Sequence, residues 1–320
     1  MGGLPMTSSA GVAQRRGWYY GWNIVGACIL AEIAASALPA NAFSLFLHDW
    51  STQLNCSIST LQLGIGAFAF IVPLLSPFSG VLADKYPARL LFGIGLVVIA
   101  LFCVAMSYIT AAWQMVALFA LLLPIGTSFS TLIPANAVVS RWFVKRLGLA
   151  LGLTAFGLAI GGVVLPPIVA MIMPTLGWRM IWRIGGLGIG AFVVPTVVYV
   201  LRDRPTEREG FHYLTGEGAA VPHHGQQGEK GAGLNWRDIL KRRNFWLLLA
   251  IYLPMLFVYG GSLQNLAPIA ISHGLNQQEA GALVSVFNAA HIVATLVMGM
   301  LSDRFGNRLP LLGLALVCAT

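Results

Sequence analysis

The chain has 320 residues, of which 57% are hydrophobic and only 9% charged. With a mean hydropathy of +0.78, it is too apolar for a soluble domain, where about a quarter of residues carry charge. The formal net charge of +8 accompanies no nucleic-acid motif. No metal-ligand cluster, nucleophile motif or phosphate loop is present, so the sequence predicts neither an enzyme nor a cofactor.

A helix satisfies its own backbone hydrogen bonds where water is absent, and about 20 apolar residues cross the hydrocarbon layer. Runs of that kind predict spans at residues 22–47, 61–83, 90–109, 113–139, 147–173, 182–201, 245–271 and 280–301. The first run is too long for a signal-peptide core. A further run from Leu309 reaches only Ala319, about half the length needed, and the chain is read as C-terminally truncated.

Span one carries Glu32, the one acidic residue inside any run. A charged carboxylate there costs roughly 2.5–3.5 kcal/mol on insertion scales unless it carries a proton or finds a partner. It is a candidate coupling group, with pairing to a basic residue of the near face as the alternative. Ser36 lies one turn on, on the same face. Asn41 follows Pro39, as Asn136 follows Pro134 in span four; prolines free backbone groups, so both asparagines are candidate solute ligands. Span five is rich in small residues, with Gly148, Gly152, Gly157, Gly161 and Gly162 ahead of Pro166 and Pro167. Such spacing lets helices approach and pivot.

Residues 202–244 are polar and glycine-rich, without apolar periodicity. They form a predicted flexible linker in which His223 and His224 read as solvated rather than metal-bound. Span seven offers Tyr252, Tyr259 and Ser262, then Gln264 and Asn265, with Tyr259 the better cavity candidate. Span eight carries Ser285, Asn288, His291 and Thr295 at steps that share one helical face. His291 changes charge near neutral pH and can bind an anion when protonated; a hydrogen bond between helices is the plainer role. Cys28, Cys56, Cys103 and Cys318 show neither disulfide nor metal spacing.

A repeat frames these elements. GVLADKYPAR at residues 80–89 returns as GMLSDRFGNR at residues 299–308, each closing an apolar run. Gly80, Asp84, Lys85 and Arg89 thus match Gly299, Asp303, Arg304 and Arg308, as in two related membrane halves. The glycines allow close helix approach, and the aspartates sit at helix ends where they can meet an Arg or a helix N-terminus. Charge placement sets the threading. Lys and Arg favour short cytoplasmic loops, and with the N-terminus inside, all but Arg179 and Arg183 of the 19 basic residues fall on the inner side. All nine tryptophans fall near run ends, at the level their amphipathic rings prefer.

Six spans, a long inner loop and a second set with the same signature after its second helix resemble the major facilitator superfamily. The resemblance implies an all-α membrane protein of major facilitator fold, a six-helix N-terminal bundle plus an incomplete C-terminal bundle. The divisions are a cytoplasmic N-terminus (1–21), the bundle (22–201), the linker (202–244) and a partial second bundle (245–320). SRWFVKRLGLALGLTAFGLAIGGVVLPP at residues 140–167, GWR at 177–179 and LRDRPTE at 201–207 resemble the bacterial oxalate/formate antiporter and monocarboxylate transporter branch.

That likeness implies secondary active transport of a small organic anion, possible proton coupling, and residence in the bacterial inner membrane. Within it, the signature residues Gly80, Asp84, Arg89, Gly299, Asp303, Arg304 and Arg308 would gate the cytoplasmic side. Pro87 stands where the family usually has Gly. Carriers of this branch usually place a cation in a span to meet the carboxylate, and no predicted complete span here holds Lys or Arg. A truncated, non-transporting product or a membrane-embedded sensing or binding subunit is the alternative reading.

Overall fold

The computed structural model describes residues 19–143, 147–203 and 243–305, and every regular element among them is helical. In chain order these are α1 (Gly21–Ser36), α2 (Phe43–Gln53), α3 (Ile58–Lys85), α4 (Ala88–Met106), α5 (Ala112–Ser130), α6 (Leu132–Trp142), α7 (Leu147–Gly188), α8 (Val194–Val200), α9 (Arg243–Ser272) and α10 (Gln277–Phe305). Five stretches of the described residues are long and apolar enough to cross a membrane.

The breaks follow from local chemistry. Pro39 cannot donate to the carbonyl four residues back, and the chain widens into a π turn over Ala37–Asn41, closed by Ala42 N donating to Ala37 O at 3.0 Å. A second π turn, Ile189–Val193, precedes Pro195. Pro134 likewise separates α5 from α6, with Thr131 extended between them. Within α7, Gly177 takes φ +68° and ψ 157°, a conformation open to glycine, and divides residues 147–176 from 178–188. Asn276 and Glu279 start α10 with reciprocal side-chain bonds to each other's backbone N–H, at 2.9 and 2.8 Å, a capping box.

Packing places α7 at the centre, against α1, α4 and α10; α5 packs on α3 and α4, and α9 on α10 and α2. Gly95 and Gly126 let α4 and α5 cross closely: a Cβ on Gly95 would lie 2.8 Å from Gly126 O. Large apolar side chains such as Phe70, Phe192 and Tyr199 stand exposed, as lipid-facing residues do.

The tryptophans mark the two ends of the bundle, but several do not face lipid. Trp50, Trp178 and Trp182 are buried at one end among Phe43, Phe46 and Phe102. Trp142 is buried at the other, beside Tyr19 and Tyr20. Its indole N–H donates to Arg202 O at 2.8 Å, and that of Trp178 to Gln53 Oε1 at 2.8 Å. Interior packing replaces the headgroup level for these rings; among the described tryptophans, Trp113 and Trp246 are exposed. The two arginines at the Trp50 end are bound to the fold. Arg179 Nη1 donates to Ile109 O at 3.0 Å, and the Arg183 guanidinium lies 4.9 Å from the Tyr108 ring centre.

Candidate functional site

The polar side chains of spans one and eight meet on span five. Asn41 is delivered by the π turn and donates through Nδ2 to Leu158 O at 3.1 Å. Asn288 on α10 donates to Val284 O at 2.9 Å within its own helix. Gly162 lies between them: a Cβ there would sit 2.6 Å from Asn288 Oδ1 and 3.1 Å from Asn41 Cγ. Both asparagines are buried, each 3% exposed. The contact depends on glycine, since any side chain would occupy the space of the amide group.

One turn and a half towards the N-terminus of α7, Gly157 receives α1 at Glu32, whose Cβ would lie 2.8 Å from an added Cβ. Glu32 is buried, and its Oε1 has no hydrogen-bond partner among the described residues. Ser36 Oγ donates to the Glu32 backbone carbonyl at 2.7 Å, so the hydroxyl serves the helix and not the carboxylate. Beside Asn288, the rings of Tyr259 and His291 lie 4.6 Å apart, and Tyr259 stacks on Phe287 at 5.9 Å. Tyr259 is half-buried and His291 exposed.

The structure therefore brings Asn41 and Asn288 together, seats Tyr259 and His291 beside the latter, and places Glu32 on the same helix interface. Asn136 is exposed on α6, and among the described residues no hydrogen bond joins it to this group. Ser285 Oγ donates to Gly281 O at 3.2 Å, an intrahelical bond. Chemically the group offers amide donors and acceptors, a phenol, an imidazole and a carboxyl within an apolar frame. No trio of His, Cys, Asp or Glu suited to a metal ion is assembled among the described residues.

Within the signature, Gly80 stands open. A Cβ on Gly80 would meet nothing within 4 Å; this glycine mediates no close approach among the described residues, because its face of α3 is open. Gly148 and Gly152 are open in the same way, whereas Gly157, Gly161 and Gly162 face α1, its π turn and α10. Arg89 is exposed. The side chains of Asp84, Asp303 and Arg304, the surroundings of Gly299 and all of Arg308 lie outside the described residues, as do the side chains of Tyr252 and Thr295 and the linker histidines.

Sequence reasoning missed several polar contacts. Asp203 accepts from Ala88 N at the start of α4, and Arg141 Nη2 donates to Ala83 O at 3.0 Å at the end of α3. At the Trp50 end, Gln62 Nε2 donates to Asn265 Oδ1 at 2.6 Å, and Gln277 Nε2 to Leu45 O at 3.0 Å. Pro87 gave one signal: a helix opening after proline has no side-chain cap of its own, so its first N–H groups need a distant acceptor.

An all-helical bundle with an apolar exterior and polar groups gathered between its helices defines a multi-pass membrane protein. The family model of the Major Facilitator Superfamily matches residues 27–320, and the chain belongs to that family. An MFS-type transporter of Aspergillus terreus is 26% identical over 299 residues, covering 91% of this chain and 92% of the relative. A riboflavin transporter of Saccharomyces cerevisiae is 26% identical, covering 91% of this chain and 56% of the relative. Monocarboxylate transporter 12 of Homo sapiens is 22% identical, covering 90% and 58%. The chain thus spans most of the first relative and little more than half of the other two.

Among solved structures, a bacterial homolog to the human lysosomal transporter Spinster, inward-facing and unoccupied, superposes with a TM-score of 0.68. It shows 17% identity, over 89% of this chain and 62% of that one. The fold expectation holds; the likeness to the oxalate/formate branch finds no specific counterpart in these matches.

Proposed function

We propose that this chain acts in secondary active transport, moving a small organic anion such as a monocarboxylate across a bacterial inner membrane by alternating access. The observation that carries the reading is the meeting of Asn41 and Asn288 on Gly162, flanked by Tyr259 and His291. Paired amides from two halves on one glycine form a hinge and a solute contact at once, the midplane arrangement expected of repeat-built carriers. Relatives named as transporters support the class, and the one named for monocarboxylates supports the substrate.

In this reading residues 22–201 form one bundle and residues from 245 onward belong to the second, joined by a cytoplasmic linker at 202–244. The arginine-rich end faces the cytoplasm with the N-terminus. Glu32 or His291 takes up the coupling proton, and protonated His291 meets the substrate carboxylate in place of an intramembrane Lys or Arg. Asn136 joins the lining in another state of the cycle. Asp84, Arg89, Asp303, Arg304 and Arg308, with Gly80 and Gly299, gate the cytoplasmic side.

The test is uptake of radiolabelled pyruvate into proteoliposomes holding the full chain, with and without an imposed pH gradient. Gradient-driven uptake is expected, reduced at least about tenfold by Asn288→Ala and made insensitive to the gradient by Glu32→Gln or His291→Ala. Uptake that ignores both of the latter substitutions removes Glu32 and His291 from the mechanism. No pyruvate uptake by the native chain overturns the substrate assignment.

A further inference from the structure

A groove of about 480 Å³ runs between α4 and α8 on the outer face of the bundle, lined by Arg89, Gly93, Val97, Val98, Val194 and Val198 among others. It lies away from the Asn41–Asn288 group and shares with the transport reading only Arg89, at its mouth. Its depth depends on Gly93, where an added Cβ would lie 3.1 Å from Val198 Cγ2 across the gap; any larger residue would fill it. The walls are aliphatic, and the open flank is bordered by exposed Leu90, Ile94 and Val97.

Charge is confined to the mouth. Arg89 stands exposed at the first turn of α4, at the arginine-rich end. The nearby carboxylate of Asp203 is turned to the helix start, accepting from Ala88 N, so the amide at the first helical residue is already occupied. At roughly 1.5 Å per residue the groove descends about 13 Å from Arg89 to Val98. That is close to half of the roughly 30 Å hydrocarbon thickness, the depth of one leaflet.

From this geometry we infer that the groove holds one acyl chain of an anionic phospholipid, with the phosphate of its headgroup on Arg89. A cation at headgroup level above an aliphatic slot one leaflet deep matches a phospholipid in both charge and length. A zwitterionic lipid fits the slot equally but gains less from Arg89. A basic residue near a membrane surface favours anionic lipid by an amount equivalent to about fivefold in binding.

The experiment uses the full chain purified in mild detergent, exposed to an equimolar mixture of phosphatidylglycerol and phosphatidylcholine with identical acyl chains. Retained lipid is counted by native mass spectrometry. The native protein is expected to retain phosphatidylglycerol over phosphatidylcholine about fivefold. Arg89→Gln should erase that preference while leaving a lipid bound. Gly93→Leu should expel lipids of both kinds; Val97→Phe, at an exposed wall position able to turn into the slot, provides the same readout if Gly93→Leu does not fold. An unchanged lipid ratio in Arg89→Gln overturns the headgroup assignment. Full lipid retention in Val97→Phe overturns the slot. A dimer peak that Val97→Phe abolishes, with no change in bound lipid, gives the groove to a second copy of the chain and overturns the inference.

Discussion

A methyl group at Gly162 has nowhere to go: it would reach within 2.6 Å of Asn288 Oδ1 and 3.1 Å of Asn41 Cγ. Overpacking of that kind costs about 1–3 kcal/mol, and here the strain falls on the two amides proposed to hold solute. Gly162→Ala is therefore expected to lower uptake at least about tenfold, while Gly148→Ala, facing open space within the same helix, leaves uptake within about twofold. Proteoliposome uptake measured beside thermal unfolding separates the two effects: equal loss of activity in both variants would show that helix flexibility, not the amide contact, matters. Glu32 presents a different residue-scale problem. Its buried Oε1 has no hydrogen-bond partner among the described residues, and in the transport reading a coupling proton supplies one.

The elements were legible in the sequence because apolar runs, prolines and glycines are local signals. The eight predicted runs fall largely on helices, with the first and fourth divided at the flagged Pro39 and Pro134, whereas the break at Gly177 came only with the structure. What remained hidden depended on neighbours. The direction of Trp50 or Trp142 follows from which helix packs beside it, and hydropathy reports only depth. Asp203 lay in a phrase read for its family likeness, yet its structural work is to cap α4 across a large sequence separation. Asp203→Ala leaves Ala88 N without its acceptor, and loss of an N-cap costs about 1 kcal/mol; a lowered unfolding temperature with unchanged pyruvate affinity is the expected result, and an affinity change would place Asp203 in the gate instead. Pro39 supports a sharper expectation. With Pro39→Ala the missing N–H returns and the π turn loses its cause, so Asn41 rotates away from Leu158 by about the 100° that one residue subtends in a helix of 3.6 per turn. Uptake should fall about as far as in Asn288→Ala while helix content by circular dichroism stays constant; undiminished uptake would mean that Asn41 is not a solute ligand.

At the scale of the whole molecule, the described contacts between early and late helices that involve side-chain hydrogen bonds gather at the Trp50 end. Gln62 of α3 binds Asn265 of α9, and Gln277 at the start of α10 reaches Leu45 O and Met173 Sδ. Three small polar contacts of this kind are individually worth about 1 kcal/mol each, strong enough to favour a closed end and weak enough to part during a cycle. An alternating carrier needs that balance, because a ligand shifts a two-state equilibrium only by its differential affinity for the states. Locking the end should therefore stop transport without unfolding the protein. In a background where the half-buried native thiol Cys56 is replaced by serine, Gln62→Cys with Asn265→Cys is joined by a short bis-methanethiosulfonate reagent spanning the two lost side chains. Uptake should fall to the protein-free level on cross-linking and return on adding dithiothreitol, while Gln62→Ala with Asn265→Ala, which removes the bond and adds none, should retain uptake and alter only its rate. Complete cross-linking with undiminished uptake would show that this end never opens, and alternating access between these helices would then have no moving part at Gln62 and Asn265.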